Sequence, residues 1–465
     1  MITMSTIRRV ATKDITIVFL IALVFRLLLF LVALDSPDRV IAPDTETYTL
    51  PALNLLEGNG FSNDMAAPYL PTAHRTPLYP LFISLVFLVK KDLLLVSFAQ
   101  VLLDSITVVL TYHLGLKFFP KKAAFLGGLL MALSLDSAVH SILILTETLF
   151  TLLFLASVYA TVLFKEKGHY KWLLLAGLLA GMATLVRPIL VLWMPVLAAS
   201  LFLISSSKWT ARIKIASVYS LAFVLMLSPW LLRNSQLWGT ATMSTISGSL
   251  LLSYNAAALE ADRSLVSPAE AKTYLEGQAN LELQRRGWQS NEFLSSEYYS
   301  QMGREIILSS PVRYLFVHLR SDLNSLLPGI TYLYELLGFT QGGTGTLSVL
   351  NQQGILAAID HYFAGETWLI AIGFPFLALL VFTYLGALMQ IFLTMRGRNW
   401  WMAVILILPI VYLLLLPGPP SNPRFRVPAM PYFSILAGSG LLFLWEVYWK
   451  NSSGIRLLRK SSKVT

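Results

Sequence analysis

"ITIVFLIALVFRLLLFLVAL", residues 15–34, decides the fold class. It holds a single charge, Arg26, and as a helix it rises about 30 Å, the thickness of a bilayer's hydrocarbon core. It follows the basic stretch "IRRVATKD" and no small-residue cleavage site comes after it, so it reads as a retained signal anchor with a cytoplasmic N-terminus. The rest of the chain agrees. Over 465 residues it is 56% hydrophobic and only 13% charged, with a mean hydropathy of +0.66, which is a polytopic membrane protein. The net charge of +10 is carried in short Lys/Arg clusters between apolar runs, a membrane topology signal with no continuous basic face for nucleic acid. With no cysteine, disulfides, thiolate metal sites and Cys nucleophiles are excluded.

The run "PLYPLFISLVFLV" (77–89) is short and carries two prolines, so it is expected to be a juxtamembrane or re-entrant helix. Further spans are expected at 93–116, 123–139, 141–164, 172–187, 188–206, 213–230, 367–394, 401–417 and 428–447, about ten in all with the first. This count puts the clusters at Lys117–Lys122, Lys165–Lys171, Lys208–Lys214 and Arg396/Arg398 on the cytoplasmic side, and leaves Lys90 and Lys91 outside. The chain then divides into a tail and first span (1–34), a first outer loop with juxtamembrane helices (35–92), a bundle (93–230), an extracytoplasmic helical region (231–366), C-terminal spans (367–447) and a basic cytoplasmic tail (448–465). Within 231–366, "SPAE" predicts a helix capped by Ser267 with Pro268 and Glu270 in its first turn, and Pro311 predicts another. "QGGTGT" (341–346) lacks the Walker lysine and a preceding strand, so it reads as a loop.

Acids and arginines gather where the spans are expected to meet the outer surface. Asp44, Glu46, Glu57 and Asp64 lie in the first outer loop; Glu57 and Asp64 read as solvated surface. Asp44 and Tyr48 share a face if "DTETYTLPALNLLEG" is helical from its start. Glu147, in "ILTETLFTLLF", is expected inside an apolar helix about 9 Å from its outer end, where a carboxylate is a functional-site candidate. Arg26 and Asp104 fall near mid-span and read as a buried structural pair. Arg75, Arg187, Arg233, Arg424 and Arg426 converge by predicted depth, and guanidinium forks at such a level suit a lipid phosphate. The six histidines show no ligand spacing.

In order, "PDTETYTLPALNLLEGNGFS", "HRTPLYPLF", "LTETLFTLLF", "LAGLLAGMATLVRP", "PWLLRNSQLWGT" and "NPRFRVPAMPYFSILAG" resemble the GT-C membrane glycosyltransferases. The nearest branch is that of bacterial relatives of the dolichyl-phosphate-mannose protein mannosyltransferases, including the lipid A aminoarabinose transferases. The likeness runs over 1–240 and 400–445; residues 241–366 match nothing. It implies an all-α GT-C-like bundle in the bacterial inner membrane with an outward-facing site and a sugar donor carried on a polyprenyl phosphate. It also implies catalytic roles for Asp44 and Glu147, with Tyr48, Arg75, Arg187, Arg424 and Arg426 binding substrate. The family often has adjacent Asp-Glu at the loop position, whereas Thr45 follows Asp44 here. Asp44 and Glu147 are also the candidate ligands of a divalent cation.

The chemistry such a site needs is a base for the acceptor hydroxyl and positive charge for the departing phosphate, and a single base acting by direct displacement inverts the anomeric centre. The acceptor, whether lipid, glycan or protein, is left open. Two other readings stand beside this one: a transporter or lipid flippase, which would place its binding residues nearer the midplane, and a polysaccharide ligase or polymerase using a lipid-linked donor.

Overall fold

Backbone polar groups in hydrocarbon must be satisfied within their own segment, and every described element of this chain is accordingly helical. The computed structural model describes residues 4–205, 208–339, 346–363, 365–366 and 368–461. The first part of the chain forms α1 (Met4–Asp35), α2 (Glu46–Leu56), α3 (Leu78–Phe87), α4 (Leu93–Gly115), α5 (Lys121–Ala132), α6 (Leu135–Ile142), α7 (Glu147–Lys167), α8 (Tyr170–Val186), α9 (Trp193–Ile204) and α10 (Trp209–Trp238). Six described segments are long and apolar enough to cross a bilayer: the greater part of α1, then α4, α7, α10, Leu369–Arg396 and Pro423–Tyr448. The predicted ten are reached only if the bent α5–α6 pair and the shorter Tyr170–Val186, Pro188–Ile204 and Trp400–Leu415 cross as well. The glycine-rich stretch at 341–346 lies, apart from Thr346, outside the described residues, as do the last four residues of the basic tail.

The pair predicted at mid-span explains how α1, α4 and α5 are locked together. Arg26 Nε lies 2.5 Å from Asp104 Oδ2, and both side chains are fully buried. Arg26 Nη1 also donates to Ala22 O and, at 2.8 Å, to Ala132 O, while Ser137 Oγ donates to Asp104. Ala132 is the last residue of α5, which meets α6 at a 46° bend, so Arg26 satisfies a carbonyl that the break leaves without its helical partner. We expect Arg26→Met to destabilise the protein by about 3–5 kcal/mol, because it strands a buried carboxylate. Arg26→Met with Asp104→Leu should recover much of that loss, as read by thermal unfolding in detergent. A single variant as stable as the wild type would show that the pair carries no stability.

Elsewhere the bundle closes through small residues. A Cβ on Gly127 of α5 would lie 2.8 Å from Ser434 O of the last helix, a backbone approach that any side chain larger than hydrogen would push apart.

Two boundaries differ from expectation. The helix predicted to end at 230 continues as α10 through Pro229 to Trp238, carrying Arg233 on a helix. A proline mid-helix removes one donor, a loss that a packed helix tolerates. The predicted helix around Glu147 instead begins at that residue, because Leu143–Thr146 is irregular and Ile144 N donates to Val40 O at 2.8 Å.

The region after α10 is helical as predicted. Ser267 forms the full capping box with Glu270 at the start of Pro268–Arg286, and a further helix starts at Pro311. Leu252, Ala256, Ala271, Leu275 and Ala279, with Tyr298 and Met302 against them, give this region a small core of its own.

Candidate active site

Five chain segments meet at one end of the bundle, held there by tertiary hydrogen bonds and local backbone constraints. The turn carrying Asp44 is closed by Thr45, whose Oγ1 accepts from Ala42 N at 2.8 Å and donates to Ile144 O at 3.1 Å. With the Ile144–Val40 bond, this stitches the Asp44 turn to the link that precedes Glu147. The segment carrying Arg75 is fixed by Thr76 Oγ1, which donates to Val186 O, the last residue of α8. Next in the chain comes Arg187, extended at φ −139° because Pro188 disfavours a helical residue before it, so its side chain leaves the helix end. Arg424 sits in the first turn of the 3-10 segment Pro423–Ala429, where Asn422 Oδ1 caps its N–H.

These constraints assemble a chain of alternating charge. Arg75 Nη2 lies 2.8 Å from Asp44 Oδ1; Arg424 Nη2 lies 2.9 Å from Asp44 Oδ2; Arg424 Nε approaches Glu147 Oε1 at 3.6 Å; and Arg187 Nη1 holds the same Oε1 at 2.6 Å. Three guanidiniums against two carboxylates leave one net positive charge. Glu147 is buried, and its Oε2 has no hydrogen-bond partner among the described residues, whereas Asp44, Arg75 and Arg424 remain partly open. Aromatic faces complete the walls: Arg75 Cζ lies 4.8 Å from the Tyr48 ring, and Arg187 Cζ lies 5.1 Å from Phe425.

Burial opposes ionisation of Asp44, but the Arg424 and Arg75 guanidiniums beside it outweigh that effect and hold its carboxyl below the usual carboxylate range. Burial pushes the Tyr48 hydroxyl up, so it stays protonated. Burial, with Arg75 adding to it, pushes the His74 imidazole below its ordinary value, which keeps it neutral.

Of the residues singled out in the sequence, Asp44, Tyr48, Arg75, Glu147, Arg187 and Arg424 come together. Asp44 does not share a helical face with Tyr48, since α2 starts at Glu46 and Asp44 precedes it in the turn; Arg75 instead touches both. Arg426 turns the other way, fully buried, with Nη2 2.6 Å from Asp136 Oδ2 and Nη1 donating to Ser325 O and Leu327 O. It takes no part in the chain of charges described above. Arg233 packs on Trp230, Trp238 and Phe61 and donates to Thr72 O, a cation–π anchor for the loop before Arg75. Glu57 pairs with Lys91 at the surface, and Asp64 clamps its own loop through Leu70 N and Ser62 Oγ.

Three contributors were not read from the sequence. Thr47 Oγ1 accepts from Arg75 Nε at 3.0 Å, Phe425 lies against Arg187, and Glu292 accepts from Thr72 Oγ1 and Thr245 Oγ1 to tie the Arg75 segment to the helix Glu292–Leu308. Threonine three residues after a loop aspartate was the one visible signal.

The donor set does not fit a divalent ion held by Asp44 and Glu147. Arg424 sits between the two carboxylates, and among the described residues no group of three His, Asp or Glu side chains converges.

Residues 74–232 match the family model described as dolichyl-phosphate-mannose-protein mannosyltransferase, a stretch that includes Arg75, Glu147 and Arg187. No curated protein sequence matches the chain. Among solved structures, the apo oligosaccharyltransferase of Archaeoglobus fulgidus is similar with a TM-score of 0.53 at 16% identity, covering 96% of this chain and 52% of that one. The same organism's oligosaccharyltransferase AglB, in complex with an inhibitory peptide and a dolichol-phosphate, gives 0.52 at 14%, covering 95% and 51%. ArnT from Cupriavidus metallidurans bound to undecaprenyl phosphate gives 0.42 at 13%, covering 93% and 60%. The chain spans about half the length of the oligosaccharyltransferases it matches. The expected resemblance to GT-C membrane glycosyltransferases thus holds, and the fold is GT-C-like.

Proposed function

We propose that the protein is a glycosyltransferase that moves a sugar from a polyprenyl-phosphate carrier to the hydroxyl of an extracytoplasmic acceptor, with inversion at the anomeric carbon. The observation that carries this reading is the run Arg75–Asp44–Arg424–Glu147–Arg187, an ion chain with net positive charge at one end of a membrane bundle. Asp44 takes the proton of the acceptor hydroxyl; the hydroxyl's oxygen attacks the anomeric carbon; the bond from that carbon to the carrier phosphate oxygen breaks; and the phosphate leaves as an anion. Arg75 and Arg424 are paired with Asp44 before substrate arrives, and guanidinium forks re-pair readily with phosphate oxygens. That exchange releases the carboxylate to act as base at the moment the phosphate is in place. Glu147, buried between Arg187 and Arg424, acts as a positioning residue for both. In this reading the site faces outward from the bacterial inner membrane, with both termini cytoplasmic.

The test is transfer of labelled sugar from a purified polyprenyl-phosphate donor by the protein in vesicles. Passage of the intact donor across the bilayer without transfer would favour the flippase reading instead, and dependence on a diphosphate-linked oligosaccharide would favour a ligase.

The pH profile follows from Asp44. Because its folded-state value is depressed below the ordinary 3.8, the carboxylate and the stability it adds persist above that value and are lost only as pH falls through the lower one. Transfer measured as kcat/KM should therefore be flat from about pH 5 to pH 8, with its acid limb lower still. An acid limb centred between pH 6 and 7 would assign the base to another group.

A further inference from the structure

The helix Pro311–Asp322, "PVRYLFVHLRSD", has no part in the chemistry above, yet its surface is unusual. At about 100° per residue, Val312, Leu315, Phe316 and Leu319 fall within an arc roughly 100° wide. All four are exposed, from 44% for Leu319 to 69% for Phe316. The opposite side is fixed by specific bonds: Tyr314 Oη donates to Asn255 Oδ1 at 2.7 Å, and His318 Nε2 lies 2.9 Å from Leu415 O. Asp322, buried at the helix end, accepts from Gly418 N and Ser421 Oγ. The apolar stripe therefore cannot roll inward without breaking these contacts. A contiguous apolar face of this kind marks a surface that something covers.

What covers it is indicated by where it lies. Leu415 ends the helix Leu408–Leu415, part of the apolar run Trp400–Leu415, and its exposed Val411 and Leu415 lie one turn apart on one face. The His318 bond thus places Pro311–Asp322 beside the end of an apolar helix with an exposed apolar face, at the end of the bundle that carries Arg424. Arg313, paired with Asp262, and the exposed Arg320 fall together on one flank of the stripe, where basic side chains reach lipid phosphates while their stems cover apolar surface.

We infer that Pro311–Asp322 is an interfacial helix, lying in the plane of the membrane with its apolar stripe at the boundary of headgroups and acyl chains and its arginine flank toward lipid phosphate. Its C-terminal end bears on the site. Asp322 holds Gly418 and Ser421, while Ser325 and Leu327 accept from Arg426, so the seating of this helix sets the depth of the loop that presents Arg424.

The chain contains no cysteine, so single-cysteine variants need no cleared background. Leu315→Cys and Phe316→Cys, nitroxide-labelled in the full chain and placed in vesicles of phosphatidylethanolamine and phosphatidylglycerol, are compared by oxygen and nickel-chelate accessibility. Arg285→Cys, on the exposed side of Pro268–Arg286, is the aqueous reference, and Leu385→Cys, exposed on Leu369–Arg396, is the bilayer reference. The oxygen-to-chelate ratio at positions 315 and 316 should be several-fold above that at 285 and below that at 385. A ratio equal to that at 285 would place the helix in water and overturn the inference. Exclusion of both reagents with dipolar broadening between labels would also overturn it, because a second copy of the chain would then be covering the stripe.

Discussion

Asp44→Asn is expected to lower sugar transfer by at least ~100-fold while leaving the protein folded and membrane-inserted, since a positioned general base contributes about 10²–10⁴-fold. The substitution keeps the shape of the side chain but removes the charge and the proton-accepting capacity. It also weakens two charge-assisted bonds, to Arg75 and Arg424. Their effect on stability should be small, because all three side chains are partly exposed and water can replace what is lost; ion pairs in that setting are worth about 0–1 kcal/mol. A kinetic loss without a thermal one separates the catalytic role from a structural one. Single-turnover transfer of labelled sugar and thermal unfolding measured on the same preparation read the two quantities. Glu46→Gln, exposed two residues along, is the control and should transfer normally. Full activity in Asp44→Asn with purified donor and acceptor would remove Asp44 as the base.

The parts of this architecture legible in the sequence were those written in short range. Apolar runs long enough to span, the capping box at Ser267 and the helix start at Pro311 each depend on residues within a turn or two, and each appears in the structure. The convergence of acids and arginines at one depth was also readable, because depth follows from position along a span. Pairing was not. Asp44 meets Arg75 from 31 residues away and Arg424 from 380, distances over which a sequence carries no register. Arg424 and Arg426 looked equivalent, two residues apart in the same proline-rich stretch, yet the 3-10 turn at Pro423–Ala429 sends one to the carboxylates and the other to Asp136. Periodicity likewise extended the Glu147 helix too far, since it registers apolar spacing and not the tertiary bond from Ile144 to Val40 that sets where the helix begins.

Arg424→Ala should be the most damaging change among the arginines, because Arg424 alone approaches both carboxylates, at 2.9 Å from Asp44 and 3.6 Å from Glu147. Its loss leaves the two acids facing each other with one guanidinium apiece, and Glu147, buried and with no partner at Oε2 among the described residues, has little access to water for compensation. Arg424 is itself partly exposed and meets Glu147 at 3.6 Å, and Glu147 keeps its bond to Arg187, so losing this attraction costs about 1 kcal/mol. Removing a charged donor that meets a developing anion lowers kcat by about 10²–10³-fold. Both should appear here: kcat/KM falls by about that factor, binding of polyprenyl phosphate alone weakens, and the unfolding midpoint drops slightly. Arg424→Lys should restore little, because a single ammonium cannot span two carboxylates that are met by different nitrogens of one planar fork. The double variant Arg424→Ala/Glu147→Gln divides the two effects. Neutralising Glu147 relieves the repulsion and should return much of the lost stability, while transfer stays low because the positive charge opposite the leaving phosphate is still missing. Recovery of transfer together with stability in the double variant would mean that Arg424 serves only to balance Glu147, and the phosphate-binding role assigned to it would fall.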